Sequence, residues 1–166
     1  KLDAARAAAR TFVRLIDPED RVAIISFHTT ATTHQSLTAD VARLDAALDA
    51  LTTEFGTRID LGLSEGERAL AAHRATALPV LIVLTDGLQT NPPGNAPVLE
   101  AGARLRLNDV IVYAIGLGST IDRTLLETVA TTVDRFYASP TDQDLISIYA
   151  DIQGRLACDG QGVPVP

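Results

Sequence analysis

Tryptophan and methionine are missing from this 166-residue chain, cysteine occurs once, and aromatic residues make up only 4% of it. The lone Cys158 leaves no partner for an internal disulfide and no second thiolate for a metal site, and beside a Gly-rich stretch it reads as an unpaired thiol. Basic residues are also scarce, 14 Lys and Arg against 21 Asp and Glu, for a net charge of −7. A nucleic-acid surface needs Lys/Arg clusters and often stacking rings, so this balance argues against nucleic-acid binding. Apolar runs such as Leu78 to Leu84 fall far short of the roughly 20 residues that span a bilayer, so no membrane span is expected. Opening at Lys1 with no charged-then-apolar leader, the chain reads as a piece of a longer polypeptide. What is present suffices for one domain: with 46% apolar against 21% charged residues, a buried core offsets chain entropy.

Leu2, Ala5, Ala9, Phe12, Val13 and Ile16 recur at helical spacing with arginines between them, and the pattern stops at Asp17-Pro18. Arg21 to Phe27 is β-branched and almost wholly apolar, as in a strand covered on both faces. The Thr-rich residues 29–38 suit an edge strand or hairpin. Asp40 offers a cap to a helix built on Val41, Leu44, Leu48 and Leu51. A helix over about Asp60 to Arg74 carries Gly62 and Gly66, which permit close packing on a sheet. Pro79 to Leu84 is the strongest strand, broken at Thr85-Asp86-Gly87. Helices at Val98–Leu107, Asp122–Val133 and Asp142–Leu156 alternate with strands at Val110–Ile115 and Arg135–Ala138. This order predicts an α/β fold, a doubly wound and mostly parallel sheet with helices on both faces. The domain is expected over residues 1–157, with 158–166 a Gly/Pro linker. Ligands of such sheets sit beyond the carboxyl ends of the strands, which directs attention to the residues after Phe27, Leu84 and Ile115.

Asp86 stands at such an end. It reads either as a turn residue beside Gly87 or as an oxygen ligand for a hard cation such as Mg²⁺, Ca²⁺ or Mn²⁺. Thr57, behind Gly56 and ahead of a helix, reads either as a helix cap or as a second oxygen ligand. His28, His34 and His73 share no ligand spacing and read as solvated. Asp45 and Asp49 read as a solvated helix face, and Asp60 as a carboxylate placed favourably at a helix start. Gly116-Leu117-Gly118 precedes Ile121 where a dinucleotide loop needs glycine, and no Gly-x-Ser-x-Gly elbow occurs, so neither nucleotide-binding nor serine-hydrolase chemistry is supported.

Several stretches, in order, resemble the von Willebrand factor type A domains: Lys1-Leu2-Asp3-Ala4-Ala5, Asp20 through Phe27, Leu37-Thr38, Gly56-Thr57-Arg58-Ile59-Asp60-Leu61-Gly62-Leu63, Val83-Leu84-Thr85-Asp86-Gly87 and Val112 through Gly118. The resemblance implies a metal-ion-dependent adhesion site built from an Asp-x-Ser-x-Ser loop, a Thr and an Asp. Thr57 matches the second element and Asp86 the third; the Asp-x-Ser-x-Ser motif is absent. In the family that motif follows a first strand lying mid-sheet, between the strands that end here at Phe27 and Leu84, so that strand is expected to be missing from this chain. The resemblance further implies a non-enzymatic recognition module. Its Mg²⁺ (or Mn²⁺/Ca²⁺) belongs to the full-length parent, bound weakly or not at all here, and its protein ligand offers a carboxylate. Linkage to further domains, in an extracellular or membrane-anchored protein, fits the Pro/Gly tail. The alternative it offers is a subunit assisting an ATPase of the metal-chelatase type.

Overall fold

The computed structural model describes residues 1–90, 94–139, 141 and 144–159, leaving aside the side chains of residues 139 and 157–159, Cys158 among them. Helix α1 (Leu2–Leu15) buries Ala8, Phe12 and Val13 on one stripe and ends where Ile16 turns extended ahead of Asp17-Pro18. Strand β1 (Val22–Phe27) folds back on β2 (Ala31–Thr38) as an antiparallel hairpin. Helix α2 (Val41–Asp49) is capped by Asp40, whose carboxylate accepts the Ala42 and Arg43 amides. Then follow α3 (Ile59–Leu70), β3 (Val80–Thr85), α4 (Ala96–Leu107), β4 (Ile111–Leu117), α5 (Arg123–Val129), β5 (Phe136–Ser139) and α6 (Asp144–Asp159). The last helix passes the expected boundary at residue 157, and the remainder of the expected linker, 160–166, lies outside the described residues.

β4 organises the core because side chains alternate across a strand. Val112 and Ala114 face Ile59, Leu63, Val98, Leu105, Leu126 and Val129 from α3, α4 and α5. Tyr113, Ile115 and Leu117 face Ala8 and Phe12 of α1 and Leu145, Ile148 and Ile152 of α6. Helices therefore cover both faces, as expected.

The strands fall into two sheets. β3, β4 and β5 are joined in parallel in that order, while β1 pairs with β2 alone among the described residues. Between β1 and β3 runs a seam, a cleft of about 1260 Å³ lined by both strands and by residues of α1 and α3. All six residues of β1 are consequently half-buried, where its apolar run implied a fully covered strand. Glycines set the distance of α3 from both strands. A Cβ on Gly62 would lie 2.7 Å from Phe27 Cδ1, and one on Gly66 2.3 Å from Leu81 Cδ1.

Three local expectations are corrected. α5 stops at Val129, short of Val133, because the Thr131 amide leaves the helix to donate to Val112 O at 3.1 Å while the Thr131 hydroxyl accepts the Val112 amide at 2.7 Å. Asp45 and Asp49 are not merely solvated: they pair with Arg10 and Arg14, Asp45 lying 3.4 Å from Arg10 Nε, and so dock α1 on α2. His34 is likewise tied down, its Nε2 lying 2.8 Å from Ser26 Oγ across the hairpin.

Candidate cation site at the carboxyl edge

β1 and β3 end at the same edge, and the loop before α3 is stitched to both. Gly56 turns with φ +100°, and a Cβ there would press Thr29 Cγ2 at 2.7 Å. The Arg58 amide then donates to His28 O at 2.8 Å, just past β1. From the loop after β3, the Thr90 amide donates to Thr57 O at 2.9 Å, and Thr90 Oγ1 accepts the Thr57 amide at 2.7 Å. Thr57 is thus held by its backbone, leaving its side chain to the edge.

The cap reading of Thr57 fails. α3 begins after Arg58 without a side-chain cap of its own, and the Ile59 amide is instead taken by Gln89 Oε1 at 2.7 Å. Gln89 Nε2 donates in turn to Asp60 Oδ1 at 2.7 Å, and Arg58 grips both oxygens of the same carboxylate at 2.8 and 2.7 Å. Asp60 is only 6% exposed, so this carboxylate does far more than face a helix dipole. The Arg58 hydrogen bonds, aided by Gln89, hold it below the usual carboxylate range against the opposing effect of burial.

Asp86 lies in the adjoining turn. The Thr85 hydroxyl is buried beneath it and accepts the Gly87 amide at 3.4 Å. Gly87 brings the turn against Thr57, since a Cβ there would lie 3.2 Å from Thr57 Oγ1. The Asp86 carboxylate receives Lys1 Nζ at 3.1 Å, and Lys1 also approaches the Gly118 turn, where a Cβ would meet Nζ at 3.5 Å. A cationic nitrogen therefore already sits on Asp86. At the rim, His28 Nε2 lies 3.2 Å from Glu54 Oε2, and neighbouring Phe55 is 95% exposed.

The family model of the von Willebrand factor type A domain matches residues 1–151. The chain belongs to that family. No curated protein matches the sequence. Solved structures share the fold: the vWF domain of the type V pili tip protein Mfa5 from Porphyromonas gingivalis superposes with a TM-score of 0.84 at 15% identity, covering 99% of this chain and 91% of that one. Proximal thread matrix protein 1 from the mussel byssus, in a form with a zinc-occupied MIDAS motif, gives 0.79 at 23% identity over 94% of this chain and 40% of its own. The pilus adhesin SpaC from Lactobacillus rhamnosus GG gives 0.81 at 15% identity over 95% and 28%. This chain thus spans well under half the length of the mussel and SpaC chains.

In this von Willebrand A domain the fold brings together the two expected site residues, Thr57 and Asp86, on abutting loops. Their oxygens suit a hard divalent cation in kind, but two donors fall short of the six or more that such an ion takes. Among the described residues, no group of three or more His, Cys, Asp or Glu side chains is placed to hold a metal. Of the residues that fix the loops, Gln89 and Thr90 carried no local signal, because they meet partners roughly thirty positions away, whereas Arg58 and Asp60 pair two residues apart.

Proposed function

We propose that this domain is a non-enzymatic protein-recognition module, with a divalent-cation site at the carboxyl edge to which it contributes Thr57 and Asp86. One observation carries the reading. The Thr57 backbone is fully engaged while its hydroxyl lies against Gly87, beside the one carboxylate of the turn after β3. Mg²⁺, Mn²⁺ or Ca²⁺ is the ion, and a partner's carboxylate fills an open coordination position on it. Further oxygens come from water and from outside residues 1–166. The pilus and byssal-matrix settings named for the structural neighbours support an extracellular role within a longer chain.

Mn²⁺ titration followed by NMR tests the site, because a paramagnetic ion reports even weak binding. Selective broadening of the Thr57 and Asp86–Gly87 amides, abolished by Thr57→Ala with Asp86→Asn, is expected. Uniform broadening, or broadening centred elsewhere, rejects the assignment. Calorimetry with Mg²⁺ is expected to detect little heat; micromolar affinity would show that two protein ligands suffice.

A further inference from the structure

α4 is apolar on two opposite faces. Val98, Ala101 and Leu105 are buried against β4, α3 and α5. Outward, Leu99, Ala103 and Leu107 recur every four positions and so form one ridge, with Leu99 41% and Leu107 83% exposed and Ala103 open between them. A helix that only covers a sheet needs one apolar stripe, and the core contacts of α4 leave the second without a role. Phe55, Leu78 and Leu88 are exposed as well, but they stand singly in loops, as surface apolar residues ordinarily do. The flanks of the ridge carry opposite charges. On the α3 side stands Glu100, and Arg104, one turn on, is turned away from it to Glu67 at 3.2 Å. On the α5 side stands Arg106, in line with Gly102, whose Cβ would meet Val129 at 3.6 Å; the Arg106 guanidinium donates to Thr128 O at 2.8 Å. Among the described residues neither Glu100 nor Arg106 has an ion-pair partner.

We propose that this ridge is a self-association surface, on which a second copy of the chain seats its own α4 side by side and in the same direction. A twofold axis along the two helices sets Leu99, Ala103 and Leu107 each beside its own counterpart, the alanines letting the helices approach. The α3 flank of each copy then faces the α5 flank of the other, so Glu100 meets the second copy's Arg106, and the pair forms twice. The two positions differ by six residues, about 9 Å along the axis, and the arginine leans back toward the start of its helix, which brings the charges within reach. Antiparallel pairing brings like flanks together, glutamate against glutamate and arginine against arginine, so charge selects the parallel arrangement. The twelve residues of α4 make a crest only about 18 Å long, well below the roughly 800 Å² per partner of a standard interface. The dimer is therefore weak, with a dissociation constant of about 100 μM. Its symmetry turns both Thr57–Asp86 edges the same way, so a weak recognition site is presented in duplicate. That consequence rests on the proposed function; the pairing itself does not.

Sedimentation equilibrium of the full chain in metal-free buffer, from about 10 μM to about 1 mM, reads the pairing. The average mass is expected to rise from that of the monomer toward twice it, while the α4 amides of Leu99, Ala103 and Leu107 shift with concentration in NMR spectra and those of β2 do not. Leu99→Gln with Leu107→Gln, both outward-facing, is expected to keep the circular dichroism of the parent and to stay monomeric throughout. Glu100→Arg sets arginine against arginine and is expected to weaken association about fivefold, and adding Arg106→Glu is expected to restore it. Antiparallel pairing predicts no loss in Glu100→Arg, because like charges face each other before and after. A chain that stays monomeric at about 1 mM refutes the proposal. Undiminished association of the leucine variant, shifts centred on Val22–Phe27 or another surface, or a Glu100→Arg chain that pairs as the parent does refutes it as well. Each of these results leaves the cation titration unaffected, so the two readings fail separately.

Discussion

Asp60, in the first turn of α3, and Gln89, in the loop after β3, are joined at 2.7 Å, and the other end of the same Gln89 amide holds the first helical N–H of α3 at 2.7 Å. One side chain therefore fixes the start of α3 to the turn that carries Asp86. Gln89→Ala leaves a buried carboxylate short of a donor and a helix amide short of an acceptor, at a cost of about 1–3 kcal/mol. Denaturant unfolding measures it, and a loss too small to detect would show that water replaces the amide without penalty.

Acid should weaken the fold through two carboxylates. Arg58 holds Asp60 below its ordinary range, and Arg68, with Thr33, holds Glu65 down at about 2. Both are depressed relative to the unfolded chain, so their stabilisation is complete above about pH 4 and is lost as pH falls toward 2. The expected outcome is a falling unfolding midpoint over that window, with a shallower fall in Asp60→Asn. Parallel acid limbs in the two proteins would remove Asp60 from the account.

Alkali should act through Tyr149. Its side chain packs in the α1–α6 core with ring centroids 5.5 Å from Phe12, and burial pushes its hydroxyl up to about 12. The raised value means that stability is intact below about pH 10, the unfolded value, and declines as pH rises toward 12. Tyr149→Phe is expected to retain the fold at neutral pH and to resist alkali better than the parent, as followed by circular dichroism.

The two glycines of α3 should respond differently to alanine. At Gly62 the new Cβ meets Phe27 at its root, 2.8 Å from Cγ and 3.2 Å from Cβ, so rotation of the ring about its own axis does not clear the contact. Overpacking of about 1–3 kcal/mol then exceeds the roughly 1 kcal/mol gained in helix propensity. At Gly66 the closest atom is Leu81 Cδ1, the tip of a side chain that lines the seam and can rotate into it. Gly66→Ala is therefore expected to be near neutral, and equal losses in thermal unfolding at both sites would contradict this packing.

Much of the fold is legible in the residues because local rules act there without competition. Asp17-Pro18 ends α1, Asp40 caps α2, and the apolar run before Asp86 becomes β3. The end of α5 departs from the periodic pattern for the opposite reason: Thr131 has a distant partner in Val112, and that pairing overrides helical periodicity. Thr57 shows the same contest, since a hydroxyl ahead of a helix reads as a cap until Gln89, thirty residues on, takes that position.

The sequence by itself determined the order of helices and strands and the von Willebrand A family, and it singled out Thr57 and Asp86 as candidates, because periodicity, turn chemistry and motif succession are written along the chain. Only the tertiary structure decided that Gly87 brings the two loops together, that Asp60 is a buried anchor, and that the sheet parts at a seam between β1 and β3. Those features depend on atoms far apart in sequence, and on strand edges whose hydrogen bonds are satisfied only by a neighbour in space.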